Sequence, residues 1–158
     1  MVAERKLIDG LKIGREDSYR NLTEQHGSRL LQTCCLILKD RQEAEDVVQE
    51  TFIRVFKGIH EFKGNSSLYT WLYRIAVNIS RDRLRKSEDL LPLEEELIVG
   101  DDLESQIVVE IDREVLRTSL DRLSSIYREV LVLYYFKDFS ITEISEISLP
   151  ILSVFIVK

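Results

Sequence analysis

Apolar side chains recur along most of this chain at steps of three and four residues, the spacing that places them on one face of an α-helix. Residues 18–38 and 40–58 both follow this rule. Only 6 glycines and 2 prolines occur in the 158 residues, too few for the many tight turns of a β-sandwich or barrel. The sequence therefore predicts an all-α fold.

Three helices are predicted in the first half of the chain. The first covers residues 18–38 and is expected to break or bend near Gly27. The second opens at Asp40 and ends at Gly58, and a polar turn then leads to the third, from Leu68 to about residue 86, with Ser66 or Ser67 as its cap. The apolar stripe of the second helix is Ala44, Val47, Val48, Thr51, Phe52, Val55 and Phe56, and that of the third is Leu68, Trp71, Leu72, Ile75, Ala76 and Ile79.

Charge is strongly segregated along the sequence. The formal net charge is −6, but residues 54–86 hold eight basic and two acidic residues, whereas residues 87–112 hold ten acidic residues and no basic one. The basic block has the local charge of an element that contacts phosphates, and the acidic block would repel itself if it were compact. With Pro92 and Gly100 inside it, the acidic segment is predicted to be a linker. We therefore expect two small helical domains, residues 1–86 and 112–158, joined by an acidic linker at 87–111.

A polar and basic stripe follows the outer face of the third helix, at steps of four, three and four: Arg74, Asn78, Arg81 and Arg85. The rings of Tyr69 and Tyr73 lie near its start and Phe62 precedes it, so aromatic side chains that stack on unpaired bases flank the stripe. Basic residues late in a helix also complement its dipole, but this alternative leaves the start of the stripe and the rings unexplained. The pattern favours contact with nucleic acid.

The second half of the chain predicts a small helical unit. One helix, residues 111–123, has Val115, Leu116, Leu120 and Leu123 on its apolar face. The next, residues 126–136, is dense enough in apolar residues to be the central helix of a small bundle, with Val130, Leu131, Leu133, Tyr134 and Tyr135. After it, Ser140 and Glu143 form a capping-box pattern that opens a short helix through Ile147. This order of elements is typical of a helix-turn-helix.

The residues that usually carry catalysis or bind metals lack the necessary spacing. Cys34 and Cys35 are adjacent, which fits neither a zinc site nor a redox motif, and they are expected to be buried helix residues in a reducing compartment. His26 and His60 lie in separate segments without carboxylate or cysteine partners and are expected at the surface. The chain starts with charged residues and has no long apolar run. We therefore expect a cytoplasmic protein without membrane insertion, cofactor, metal or enzymatic activity.

Three segments, Asp40 to Phe52 (DRQEAEDVVQETF), Phe62 to Ser67 (FKGNSS) and Thr70 to Asn78 (TWLYRIAVN), together resemble conserved region two of the extracytoplasmic-function sigma factors of bacterial RNA polymerase. The segments YREVLVLYY at 127–135, DFS at 138–140 and EI at 143–144 similarly resemble the start of region four of that family. The resemblance extends from Tyr19 to about Ile147, and the parts occur in the family's order.

This resemblance implies an initiation factor that binds core RNA polymerase and promoter DNA. It also implies a regulatory anti-sigma factor that covers these binding surfaces. Asp46, Gln49 and Glu50 match the family surface that docks on the clamp helices of the largest polymerase subunit. The 62–67 loop matches the pocket for a base flipped from the minus-ten strand, and Asn78 matches a base reader. The implied DNA-binding residues are Phe62, Lys63, Asn65, Ser66, Ser67, Tyr69, Tyr73, Arg74, Asn78, Arg81 and Arg85.

The last ten residues, LPILSVFIVK, depart from the family pattern. The family has a recognition helix rich in Thr, Ser, Arg and Lys here, whereas only Ser153 and Lys158 of this tail carry polar side chains able to reach base edges. A frameshift or truncation, or an apolar docking segment, would each produce such a tail. The alternative function is therefore a degenerate protein that binds polymerase or an anti-sigma factor without supporting transcription.

Overall fold

Every regular element is a helix in the computed structural model, which describes residues 2–88 and 113–148. This confirms the predicted all-α fold. Helices α1 to α4 form what we call the N-terminal unit: α1 Val2–Lys12, α2 Glu16–Leu38, α3 Arg41–Gly58, a 3₁₀ turn Ile59–Glu61, and α4 Leu68–Glu88. The C-terminal unit consists of α5 Arg113–Asp121, α6 Ser125–Leu131, a π-helical turn Val132–Phe136, and α7 Ile141–Ile147. Most of the predicted linker and the apolar tail lie outside the described residues.

Side-chain caps fix where several helices begin. Asp40 has extended backbone angles, and its Oδ1 accepts a hydrogen bond from the amide of Glu43 at 3.0 Å. Ser67, not Ser66, caps α4, since its Oγ accepts from the amide of Thr70 at 3.0 Å. Ser140 and Glu143 form the predicted capping box at α7. The start signals in the sequence are therefore confirmed at three helices.

We expect Asp40→Ala to lower the free energy of unfolding by about 1 kcal/mol, because the amide of Glu43 loses its acceptor at the start of α3. Urea denaturation followed by circular dichroism measures the change. Asp40→Asn, which keeps an acceptor oxygen at the same place, is the control and should cost much less. Equal losses in the two variants would show that the cap bond does not stabilise α3.

The core of the N-terminal unit lies between α2, α3 and α4. Leu22, Leu30 and Ile37 from α2 are fully buried, as is Leu72 from α4. Four members of the predicted α3 stripe are also buried: Ala44, Val47, Thr51 and Val55. Phe56 was predicted to be buried with them, and this is wrong: it is 58% exposed at the end of α3, where its ring packs beside that of Tyr19 with centroids 4.8 Å apart.

Two features of the N-terminal unit differ from the prediction. Helix α2 continues through Gly27 without a break, because buried Leu22 and Leu30 on either side of it hold the helix against the core. This packing outweighs the roughly 1 kcal/mol that a glycine costs within a helix. Helix α1 was not predicted at all, although Leu7 and Leu11 are spaced four residues apart and pack on the core.

The C-terminal unit buries only part of the apolar set predicted for residues 126–136. Leu133 is buried, and so is Val132, whereas Tyr134 and Tyr135 are 44% and 70% exposed. The continuous α-helix predicted over 126–136 is interrupted by the π-helical turn, whose wider spacing rotates the residues that follow Leu131 away from an α-helical register. In α5, Leu120 is buried, but Val115, predicted on the same face, is 58% exposed.

Both cysteines were predicted to be buried helix residues, and the structure confirms this for Cys34 alone. Cys34 is buried, Cys35 is only partly buried, and neither is in a disulfide. Burial raises the pKa of Cys34 to about 12, so its thiol stays protonated at neutral pH. Across residues 2–88 and 113–148, no helix has the length and hydropathy of a membrane span.

Candidate functional site

The first part of the candidate site is an acidic face on α3, formed by Asp46, Gln49 and Glu50. The first two side chains are exposed and Glu50 is partly buried. Glu50 accepts hydrogen bonds from Arg54 at 2.7 Å and from Arg83 at 3.4 Å. Partial burial raises the pKa of Glu50, but the two guanidinium groups outweigh this effect and hold the pKa below its ordinary value. Glu50 therefore keeps its negative charge at neutral pH.

Arg83 ties this face to α4, a role that the sequence did not indicate. Its Nη1 donates to Glu43 at 2.7 Å, and the hydrogen bond to Glu43 raises the pKa of Arg83. Arg83 lies off the predicted stripe, and 40 residues separate it from Glu43, so no local spacing connects the two. The result is that α3 and α4 present their polar faces in a fixed relative orientation.

The second part is the loop before α4, where Lys63 and Asn65 are exposed and Ser66 is partly buried. Gly64 turns the chain with a φ of 74°, a conformation that favours glycine. Phe62 was predicted to stack on bases, and its position contradicts this. It is only 7% exposed, because its ring packs on Trp71 with centroids 5.1 Å apart.

The two tyrosines predicted to flank the stripe differ in exposure. Tyr69 is partly buried, but Tyr73 is fully buried, so its predicted place on the surface is wrong. Both rings pack against Phe139 of the C-terminal unit, at 4.9 Å and 5.1 Å between centroids, and burial raises the pKa of Tyr73. His26, expected at the surface, is also partly buried because its ring packs beside Tyr69, 5.6 Å away, while His60 is exposed.

The third part is the polar stripe of α4, and its members do share one face. Arg85 is exposed at its far end and lies 3.5 Å from Asp82. Asn78 accepts a hydrogen bond from Arg81 at 3.2 Å. Arg74 pairs with Glu146 of α7 at 3.6 Å between Nη2 and Oε2. The first three members of the stripe therefore lie against or beside the C-terminal unit rather than in open solvent.

The centre of this contact is the ion pair between Arg81 and Glu129, whose side chains are 10% and 2% exposed. Arg81 donates from Nε to Oε2 at 2.8 Å and from Nη2 to Oε1, and Ser148 donates to Oε1 at 2.7 Å. Burying a carboxylate without partners is energetically unfavourable, and the hydrogen bonds from Arg81 and Ser148 compensate for this at Glu129. Sequence spacing gave no sign of Glu129, Glu146 or Ser148 as neighbours of the stripe.

Comparison with known proteins matches both units to one family. Residues 22–89 match the family model of Sigma-70 region 2, and residues 113–148 match that of Sigma-70 region 4. The ECF RNA polymerase sigma factor SigW of Bacillus subtilis is 33% identical over 156 residues, covering 90% of this chain and 83% of the relative. The RNA polymerase sigma-H factor of Pseudomonas aeruginosa is 29% identical over 158 residues, covering 91% and 81%.

A solved structure agrees with these matches. The structure of CnrH in complex with the cytosolic domain of CnrY superposes with a TM-score of 0.65 at 25% sequence identity, covering 92% of this chain and 82% of CnrH. The region-2 match contains the acidic face, the loop and the α4 stripe, and the region-4 match contains α5 to α7. The chain therefore belongs to the ECF family of RNA polymerase sigma factors.

Proposed function

We propose that this chain directs core RNA polymerase to promoters and opens their minus-ten element. The observation that carries the proposal is the stripe of Arg74, Asn78, Arg81 and Arg85 on one face of α4, beside the 62–67 loop and inside the region-2 match. Arginines spaced along one helix face bind phosphates without regard to sequence, while an amide side chain reads a base edge. The proposed role of these residues is to bind DNA, and it requires no catalytic step.

In this proposal the acidic face of α3 binds the clamp helices of the largest polymerase subunit. Asp46 and Gln49 are exposed for such a contact, and Glu50 is held ionised beside them by Arg54 and Arg83. Since α3 and α4 share one core and Arg83 ties their polar faces together, the polymerase contact and the DNA contact belong to the same unit of the protein. Binding to polymerase would therefore also position the α4 stripe.

The 62–67 loop is proposed to accept a base flipped from the minus-ten strand. Lys63, Asn65 and Ser66 offer polar groups there, Ser67 is held by its cap on α4, and Asn78 follows on the stripe. Extruding a base costs a few kcal/mol of stacking, which polar contacts and neighbouring arginines offset. Phe62 has no stacking role in this proposal, because its ring is buried against Trp71.

We assign the remaining roles at the level of whole segments. Residues 1–86 would bind polymerase and the minus-ten element, and the acidic linker at 87–111 would occupy a basic channel of polymerase. The incomplete helix-turn-helix unit at 112–158 would give impaired or no anchoring at the minus-thirty-five element, because the last ten residues lack the side chains of a recognition helix. CnrH is described in complex with the cytosolic domain of CnrY, and by analogy we propose a regulatory anti-sigma factor as a partner of this chain.

Transcription with purified core polymerase tests the function. The template is a library with randomised minus-ten and minus-thirty-five elements, so that the chain itself selects the promoter sequence, and the transcripts are sequenced. We expect transcripts that depend on this chain and share a minus-ten motif. Binding to core without any such transcripts would contradict the proposal and support the degenerate polymerase-binding protein instead.

We expect Asn78→Ala to weaken opening of the selected promoter by about 1–3 kcal/mol, because it removes a base-reading amide and the acceptor that orients Arg81. Affinity for core polymerase should not change. Asn21→Ala makes the same chemical change on the exposed part of α2 and is the control. Equal promoter opening by the Asn78 and Asn21 variants would remove Asn78 from the DNA contact.

A further inference from the structure

Helix α1 lies beside the 62–67 loop and contacts the chain where the loop starts and where it ends. At the end of the loop, the backbone amide of Leu68, the first residue of α4, donates a hydrogen bond to Oε1 of Glu4 at 2.6 Å. At its start, Nζ of Lys12 donates to the backbone carbonyl of Phe62 at 3.4 Å. The 3₁₀ turn that leads into the loop also packs on α1. One helix therefore holds the backbone on both sides of the loop.

The position of α1 is fixed by its packing on α2. Leu11 is 1% exposed in the core of the N-terminal unit, and the hydroxyl of Tyr19 donates to the carbonyl of Leu11 at 3.1 Å. Gly10 lets the two helices approach closely, because a Cβ atom there would collide with the side chain of Ser18. The two residues that contact the loop are eight positions apart on α1, about 12 Å along its axis. Both contacts are therefore made from one anchored helix.

The Glu4 carboxylate suits the start of α4 in its chemistry. The first amides of a helix have no partner within the helix and carry a partial positive charge, which favours an acidic acceptor. Ser67 accepts from the amide of Thr70 and Glu4 accepts from that of Leu68, so one cap is local and the other comes from 64 residues away. Together the two caps fix the last residues of the loop relative to both α1 and α4.

Exposed residues make up most of the loop itself. Lys63, Gly64 and Asn65 are all exposed, and the hydroxyl of Ser66 donates only to the carbonyl of its neighbour Ser67, at 3.4 Å. Exposed loops of this kind are mobile unless their ends are held. A site that selects one ligand needs its groups held to within about 0.5 Å. The contacts at the two ends therefore determine how well the loop can receive a base.

We infer that Glu4 and Lys12 are positioning residues for the base that the 62–67 loop accepts. The inference rests on the proposed function, since it takes this loop to be the base-binding site. Neither residue touches the base: both act through the backbone of Leu68 and Phe62, whose fixed positions preorganise the loop. A preorganised loop pairs with the correct base at a low ordering cost and leaves polar groups unpaired with a wrong one. Helix α1 thereby adds selectivity at one position of the minus-ten element.

The test uses the full chain with Glu4→Ala, Lys12→Met and the double variant. Transcription from the randomised library is repeated with core polymerase and each variant, and the minus-ten motif of the transcripts is compared with that of the wild type. We expect the double variant to lose preference at one position of the motif, where the ratio of the preferred base to the others falls about fivefold. The other positions should keep their preferences. A variant that merely folded less well would lower the number of transcripts from every template and leave the motif unchanged.

Three control variants separate the loop contacts from other effects of changing α1. Glu4→Gln keeps an acceptor oxygen for the amide of Leu68 and should restore most of the preference that Glu4→Ala loses. Asp9→Ala and Lys6→Met remove one carboxylate and one ammonium group from exposed positions of the same helix, and neither should change the motif. If these two changed the motif as much as the loop variants do, the effect would come from the charge of α1, and the inference would be overturned.

Hydrogen–deuterium exchange measures the loop itself, without polymerase or DNA. We expect the amides of residues 62–68 to exchange faster in the double variant than in the wild type, while those of α3 are unchanged. If the double variant fails to fold by circular dichroism, Lys12→Met, which removes a partly exposed hydrogen bond, carries both measurements with the same expected direction. Equal exchange of the loop in variant and wild type would show that α1 does not hold it, and would overturn the inference.

The positioning role and the proposed function fail in different ways. If wild type and double variant select the same motif with the same preferences, the positioning role is wrong and the proposed function stands. If the wild type binds core polymerase but selects no minus-ten motif, the proposed function fails and the positioning role fails with it.

Discussion

Glu50→Lys is expected to weaken binding to core RNA polymerase by about 3 kcal/mol, or roughly a hundredfold in Kd. An acidic face that docks on another protein requires a basic surface opposite it, and a lysine placed there brings like charges together. The ionised state of Glu50, maintained by Arg54 and Arg83, means that the full charge reversal is felt at neutral pH. Surface plasmon resonance with immobilised core polymerase measures the change.

Two control variants test whether the loss of affinity for core polymerase comes from the acidic face itself. Glu45→Lys makes the same charge change five residues earlier on α3, about 140° around the helix from Glu50, and should bind core nearly as the wild type does. Arg83→Met removes the tie between α3 and α4 but keeps all three side chains of the acidic face and the pair between Glu50 and Arg54, so it should lose far less affinity than Glu50→Lys. If Glu45→Lys lost as much affinity as Glu50→Lys, the acidic face of α3 would not be the polymerase contact.

Leu72→Ala is expected to lower the free energy of unfolding of the N-terminal unit by about 2–5 kcal/mol. Leu72 is fully buried where α4 meets α2 and α3, so the truncated side chain leaves a cavity that the helices cannot close. The chain has one tryptophan, Trp71, which packs on Phe62 in this same unit. Its fluorescence during urea denaturation therefore reports this unit directly.

Ile53→Ala is the matched control for that measurement. Ile53 is also a large apolar residue of the N-terminal unit, but it is 52% exposed on α3. Its truncation should change the free energy of unfolding by no more than about 0.5 kcal/mol. A loss for Leu72→Ala no greater than that of the control would mean that α4 does not pack on α2 and α3 as described.

Local signals in the sequence were enough to predict most helices and the faces that they present. Asp40 and Ser140 each combine a capping side chain with an amphipathic run behind it, and the helices begin where these residues stand. The α4 stripe was found in the same way, because residues three and four apart share a helix face whatever the rest of the protein does. These features depend only on residues that are close in sequence, so they could be predicted from the sequence alone.

The interactions between distant segments could not be predicted, because spacing carries no information about them. Glu129 is 48 residues from Arg81, and Glu146 is 72 residues from Arg74, so neither ion pair leaves a local pattern. Exposure of Tyr73 was predicted wrongly for the same reason, since Phe139 covers its ring from the other unit. The π-helical turn at 132–136 is a further case, in which a change of helical period moves side chains off the expected face.

The proposed function requires that the α4 stripe contacts the unpaired minus-ten strand once core polymerase is bound. The most direct test replaces Arg85, the exposed end of the stripe, with a photo-crosslinking amino acid and irradiates the complex of this protein, core polymerase and the selected promoter. We expect a crosslink to the minus-ten strand that requires core polymerase and an opened promoter. An opened promoter that forms no crosslink at this position would contradict it.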